Sequence, residues 1–125
     1  MVDKRLTIQK IKILEYLHSV HSHPTADVVY EAVKKHIPNI SLATVYRNLN
    51  QMVDSGDVLR LEINGEYHFD GDVSKHLHCY CSRCGKLVDV FNKKITDYAI
   101  KNVDLPGFEV SNVQVLFKGL CTKCS

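Results

Sequence analysis

The sequence has no tryptophan, and only 3 prolines and 6 glycines in 125 residues. That composition excludes collagen-like chains, and 45% hydrophobic with 24% charged residues is ordinary for a folded globular protein rather than a disordered one or a coiled coil. No apolar run approaches the ~20 residues that span a bilayer, so no membrane partner is expected. The opening MVDKRLTIQK has no apolar core of signal-peptide length, which makes a cytoplasmic location the expectation. Charge of either sign is also nearly absent in sum. The formal net charge is +2, with 8 Lys/Arg against 9 Asp/Glu in residues 1–70 and 8 against 5 in residues 71–125. A balance this small does not argue for nucleic acid or for any other partner. Cysteine is missing from the first 78 residues, and all 5 then fall at Cys79, Cys81, Cys84, Cys121 and Cys124. In a reducing compartment, cysteines at regular spacings more often mark metal or redox chemistry than disulfides.

This uneven placement divides the chain near Asp70 to Lys75, and 125 residues suffice for two small domains, expected as 1–71 and 72–125. The first half reads as helix, helix, helix, hairpin. Ile11, Leu14 and Leu17, with Ile13 and Val20 beside them, give a helical apolar face to about Ser19. HSHPT breaks the pattern, Thr25 is positioned to cap a helix through His36, and Val29, Ala32 and Val33 form its stripe. Ser41 is positioned to cap a third helix, whose Leu42, Val45, Leu49, Met52 and Val53 share a face before Ser55-Gly56 ends it. VLRLEI and EYHFD then alternate about Asn64-Gly65, the strongest short hairpin signal. That order is a winged helix-turn-helix. The outer face of the third helix presents Ala43, Thr44, Tyr46, Arg47, Asn50 and Gln51, residue types suited to a DNA major groove. A solvated face would carry more Glu and Lys, although winged helices also serve as protein–protein modules.

The second half reads as β-β-α-β. HLHCY and KLVDVF flank the turn CSRCGK, Asn92 is positioned to cap a helix to about Val103 with Ile95, Tyr98, Ala99 and Val103 on one face, and FEVSNVQVLFKG alternates as a strand around Val113, Val115 and Phe117. So small a core needs a metal, a partner subunit or both. Cys81-x-x-Cys84 and Cys121-x-x-Cys124 form two knuckles, and four thiolates at tetrahedral spacing select zinc in a closed, structural site. A thioredoxin-like redox pair is the main rival for one CxxC and is weaker for two, and neither knuckle opens a helix that would lower a thiol pKa. Cys79 is left over and is expected in the core. Strand parity puts His76 and His78 on one face, with Leu77, Cys79 and Cys81 on the other. Such a histidine pair is half a metal site or two surface histidines. Asp70, Asp89 and His23 are candidate partners that spacing alone cannot join.

HPTADVVYEAV, ISLATVYRNLNQMVDSGDV, YHFDGDVSKHLHCYCSRCGKLVDV and the closing CTKC together resemble the ferric uptake regulator (Fur) family, from about Leu6 to Cys124. The resemblance implies an α+β protein: a winged-helix DNA-binding domain, then a small α/β zinc-containing dimerisation domain. It implies a non-enzymatic repressor that binds double-stranded operator DNA as a homodimer. Structural Zn(II) then falls on Cys81, Cys84, Cys121 and Cys124, and a regulatory metal on His23, Asp70, His76, His78 and Asp89. DNA contact falls on the helix from Ser41, with Tyr46 and Arg47 as base or backbone contacts, within the face of Ala43, Thr44 and Asn50 read above. Both acidic ligand positions are Asp where iron-uptake regulators typically carry Glu, which is similar to the peroxide-sensing (PerR) branch. In that branch the regulatory ion is Fe(II) or Mn(II), and oxidation of the histidine matching His23 or His76 releases DNA. Two features depart from the pattern. The chain starts a few residues before its first helix, where many relatives carry an extension, and Gln9-Lys10 stands where Gln-Arg is common. A metal-uptake regulator of the same family and a small His/Asp metalloenzyme are the other readings, and no small-molecule substrate beyond metal and peroxide is expected.

Overall fold

The computed structural model describes residues 7–125, so the sequence features at residues 1–6, Leu6 among them, lie outside the described residues. The chain separates into two compact units, Met1–Val73 and Ser74–Ser125.

In the first unit the described residues form α1 (Ile8–Ser19), α2 (Ala26–Val33), α3 (Leu42–Asp54), β1 (Leu59–Ile63) and β2 (Glu66–Asp70). Thr7 caps α1 by accepting the Lys10 amide at 3.2 Å, and Ser41 caps α3 by accepting the Thr44 amide at 3.1 Å. Thr25 stands at the N-cap of α2 without a side-chain bond to it. α2 ends at Val33 rather than His36, because the chain tightens into turns over Lys34 to His36. The α1 stripe is also narrower than its apolar residues suggest. Ile13 and Leu17 are buried while Ile11 points outward, since three helices meeting at one core cover only part of α1. β1 and β2 pair antiparallel from Leu59↔Asp70 to Ile63↔Glu66. Asn64 and Gly65, at φ 53° and 79°, make the two-residue turn whose twist suits a hairpin. The core joins Ile13 and Leu17 to Val29, Val33, Val45, Leu49, Met52, Val58 and Phe69. Each such side chain contributes about 1.5–3 kcal/mol by leaving water.

In the second unit β3 (Leu77–Cys81), β4 (Leu87–Val90), α4 (Lys93–Lys101) and β5 (Leu116–Gly119) form a three-stranded sheet in the order β4-β3-β5, plus one helix. β3 is antiparallel to β4 and parallel to β5. The sequence expectations are corrected at several points here. The alternation around Val113 and Val115 yields a strand only from Leu116, because β3 is five residues long and offers partners only from Leu116 to Gly119. α4 stops at Lys101, and its Asn92 makes no side-chain cap. The face of Ile95, Tyr98 and Val103 is exposed, with Tyr98 at 70%, and the buried α4 residue is Thr96. Cys79 is exposed as well, since nothing in this unit covers that side of β3 at its middle. Among the described residues of the unit, Leu77 and Cys81 are the buried apolar ones, against His76, His78 and Thr96. No helix among the described residues is long and apolar enough to cross a membrane.

Candidate metal centres and nucleic-acid interface

Parallel pairing of β5 with β3 sets Cys81 opposite Gly119, so the chain leaving β5 brings the second cysteine knuckle beside the first. The sulfurs of Cys81, Cys84, Cys121 and Cys124 lie within 4.8 Å of one another. Cys84 Sγ and Cys121 Sγ are 3.8 Å apart, matching the edge of about 3.8 Å in a tetrahedron of bonds near 2.3 Å. A disulfide needs about 2.05 Å, and all five thiols are free. Gly85, at φ 80°, lets the first knuckle fold back on itself. Ser82 and Arg83, which carry no signal in the sequence, lace the loops together through Ser82 Oγ to the Gly119 carbonyl and Arg83 Nη1 to the Cys124 carbonyl at 3.2 Å.

The electrostatics of the knuckles are uneven. The backbone N–H of Cys84 and that of Cys121 point at Cys81 Sγ at 3.5 and 3.4 Å. They hold its thiol down at about 5, with the Cys84 amide the larger cause. Cys124 is pushed up to about 12, first by its side-chain hydrogen bond with Cys121 and then by burial. The backbone donors thus support one thiolate, and four require a cation. The donor set fits a divalent, thiophilic ion in a closed shell.

The oxygen and nitrogen donors form one group in each unit. On the sheet of the second unit, His78 of β3 faces Asp89 of β4 in register, which puts their side chains on one face. His76 precedes His78 by two residues, and their rings lie 4.5 Å apart. Both Nε2 atoms converge on Asp89 Oδ1, at 3.3 Å from His76 and 3.2 Å from His78. Neighbouring donors around an ion at about 2.1 Å stand about 3.0–3.4 Å apart, so the trio is spaced for coordination. His76 Nδ1–H donates to the Ser74 carbonyl at 2.7 Å, which fixes the tautomer and turns Nε2 toward Asp89. The Phe91 ring stacks on His76 at 5.2 Å. Ser74 and Phe91 escape a reading based on ligand types alone.

In the first unit His23, in the turn between α1 and α2, places Nε2 3.1 Å from Oδ2 of Asp70 at the end of β2. Both are more than nine-tenths buried. The other Asp70 oxygen accepts the Asp72 amide at 2.9 Å. Gly71 lets this corner close, since a Cβ there would meet His18 Cδ2 at 2.8 Å and the Leu17 carbonyl carbon at 3.2 Å. His23 is a non-glycine residue at φ 55°, a backbone state that costs about 1–3 kcal/mol and persists where surrounding structure enforces it.

The outward stripe of α3 holds Ala43, Tyr46, Arg47 and Asn50 at i, i+3, i+4 and i+7. Ser41, Ala43, Tyr46 and Arg47 are exposed and Thr44 is half-buried. Asn50 departs from the role of a free base reader: it is half-buried, and its Oδ1 accepts Arg60 Nη1 of β1 at 3.0 Å. Arg60 in turn lies 4.6 Å over the Tyr67 ring of β2, so Asn50 ties α3 to the wing. Asn48 and Gln9, side chain to side chain at 3.3 Å, tie α3 to α1.

The model of the ferric uptake regulator family matches residues 2–118, ending just before the second cysteine knuckle. The peroxide operon regulator of Bacillus subtilis is 38% identical over 122 residues, covering 97% of this chain and 84% of that protein. The crystal structure of a Campylobacter jejuni peroxide stress regulator superposes with a TM-score of 0.78 at 32% identity, covering 93% of this chain and 88% of that one. A ferric uptake regulator from Pseudomonas aeruginosa, solved with manganese, gives 0.76 at 29% identity, covering 95% and 91%.

Proposed function

Because the chain belongs to the ferric uptake regulator family, whose members regulate transcription and are not enzymes, we propose that it is a metal-dependent, peroxide-responsive repressor that binds double-stranded operator DNA as a homodimer. The metalloenzyme reading is set aside by that membership. The observation that carries the proposal is the convergence of His76 and His78 Nε2 on one Asp89 oxygen at 3.3 and 3.2 Å, with the buried His23–Asp70 pair beside α2 as the second group of donors. Similarity to the Bacillus subtilis and Campylobacter jejuni peroxide regulators supports the signal, and similarity to a manganese-bound regulator supports the choice of ion.

The regulatory ligands carried over from the family are His23, Asp70, His76, His78 and Asp89. Three imidazole nitrogens and two carboxylates would suit Fe(II) or Mn(II). Fe(II) held by these residues would supply electrons to peroxide, whereas Mn(II) would not. His23 and His76 are the residues assigned to oxidation, and an oxidised imidazole is a poorer donor. His23 and Asp70 belong to the DNA-binding half, so metal biases DNA binding to the extent that the ion binds the DNA-competent state more tightly. Cys81, Cys84, Cys121 and Cys124 hold structural zinc, which supplies folding energy that the thin core of the second unit lacks.

A second copy of the chain covers the apolar surface of the second unit, where Phe91, Tyr98, Phe108 and Phe117 are exposed. Dimerisation sets two α3 helices on successive half-sites. Ser41, Ala43, Thr44, Tyr46 and Arg47 contact the DNA, and Asn50 acts through Arg60. An operator-binding role puts the protein in the cytoplasm. The test is a gel-shift of operator DNA with Fe- and Mn-loaded protein before and after peroxide, with mass mapping of the His23 and His76 peptides. Peroxide is expected to release DNA and add one oxygen atom only in the Fe-loaded protein. Retention of both affinity and mass by that sample would overturn the peroxide reading in favour of metal level as the signal.

A further inference from the structure

His23 occupies the left-handed region at φ 55° and is followed at once by Pro24, which has no amide hydrogen. A residue before proline favours extended backbone, so two local preferences oppose this turn and something must hold it. Three consecutive residues of β2 do. The Phe69 amide donates to the Pro24 carbonyl at 2.9 Å. His68 Nδ1 lies 2.8 Å from the His23 carbonyl oxygen, and since a carbonyl only accepts, Nδ1 carries the hydrogen. Asp70 Oδ2 faces His23 Nε2 at 3.1 Å. Strand alternation puts His68 and Asp70 on one side of β2, so a single face of the strand grips both the backbone and the ring of His23.

We propose that His68 is a positioning residue of the regulatory metal site: through the His23 carbonyl it holds the strained turn so that the His23 imidazole faces Asp70 before any metal arrives. The inference rests on the reading of His23 as a ligand given above. His68 is suited to this role rather than to packing. It is half-buried and stands outside the hydrophobic cluster, and its Nε2 turns to Glu66 at 3.6 Å. Its loss leaves Phe69 in the core and the backbone bond to Pro24 in place. A ligand whose own backbone is left to relax spends binding energy on ordering itself, and partners of this outer kind typically change metal affinity by roughly 10- to 100-fold.

The experiment compares wild type, His68→Leu, His68→Asn and His23→Ala as zinc-loaded full chains. Leucine keeps bulk without a donor, whereas asparagine offers Nδ2–H close to where histidine offers Nδ1–H. Mn(II) affinity is read from the paramagnetic resonance of free Mn(II), and amide hydrogen exchange of residues 22–26 is read without Mn(II). His68→Leu is expected to bind Mn(II) roughly 10- to 100-fold more weakly and to exchange faster in the turn, with an unchanged melting temperature. His68→Asn is expected to restore both readouts. Wild-type affinity and exchange in His68→Leu, or no recovery in His68→Asn, would overturn the positioning role. Wild-type Mn(II) affinity in His23→Ala would overturn the ligand reading and this inference with it. The exchange measurement needs no metal, so it tells a failed clamp from a failed ligand assignment.

Discussion

Replacing Asp89 by asparagine isolates what one carboxylate contributes to the regulatory site. The amide matches the carboxylate in shape, so β4 and its register with His78 should survive. What changes is charge at the one oxygen that both Nε2 atoms face, at 3.2 and 3.3 Å. The site falls from two anionic donors to one, and the remaining amide oxygen is a weaker donor for a hard dication. A hydrogen bond to a charged group contributes about 1.5–3 kcal/mol against about 1 for a neutral one, and a directly coordinating charge exceeds that difference. The expected loss is therefore at least about 2 kcal/mol, or roughly thirtyfold in Mn(II) affinity. Calorimetric titration of Mn(II) into zinc-loaded protein measures it, with Asp97→Asn on α4 as the charge-matched control. Operator affinity should fall at limiting Mn(II) and recover at saturating Mn(II), because the variant weakens loading rather than coupling. Zinc content should remain at wild-type level. Unchanged Mn(II) affinity in Asp89→Asn would refute the assignment of Asp89 as a ligand.

Three further outcomes follow from local geometry. Gly71→Ala drives a Cβ to 2.8 Å from His18 Cδ2 and 3.2 Å from the Leu17 backbone; a destabilisation of about 1–3 kcal/mol by urea unfolding is expected, and a variant as stable as wild type would show that this corner yields freely. Zinc binding at pH 7 should release at most three protons. Cys81, held at about 5, is already a thiolate there and adds to pH dependence only below that value, whereas Cys124, at about 12, must give up its proton throughout the accessible range. Zinc affinity therefore rises with pH, and calorimetry in two buffers of different ionisation enthalpy would contradict this by counting four protons. Arg47→Ala, on the exposed stripe of α3, should cost about 1–3 kcal/mol of operator affinity and lower its salt dependence, leaving Mn(II) affinity unchanged; equal operator binding would remove Arg47 from the interface.

Local signals were legible where local physics decides. Asn64-Gly65 dictates its hairpin because its two residues accept positive φ, and Ser41 caps α3 because its oxygen is one turn from an unpaired amide. Asn50 shows the limit of such reading. Its place on the outer stripe follows from helix period, but its engagement with Arg60 depends on how the wing packs on α3. Cys79 and the Ile95–Tyr98 face show another: alternation identifies apolar faces without saying what covers them, and within one chain these stay exposed.

The crowding of every cysteine into the last 47 residues, with His76 and His78 just ahead, was sufficient to set the chemistry, on which net charge is silent. Donor types, knuckle spacing and strand parity follow from residue order alone, because each depends on neighbours a few positions apart. The tertiary structure decided which donors meet. Cys84 meets Cys121 where β5 runs parallel to β3, and His23 meets Asp70 where β2 hydrogen-bonds the His23–Pro24 turn. Contacts of that kind join segments distant in the chain, and their geometry is set by packing and sheet pairing that no local pattern encodes.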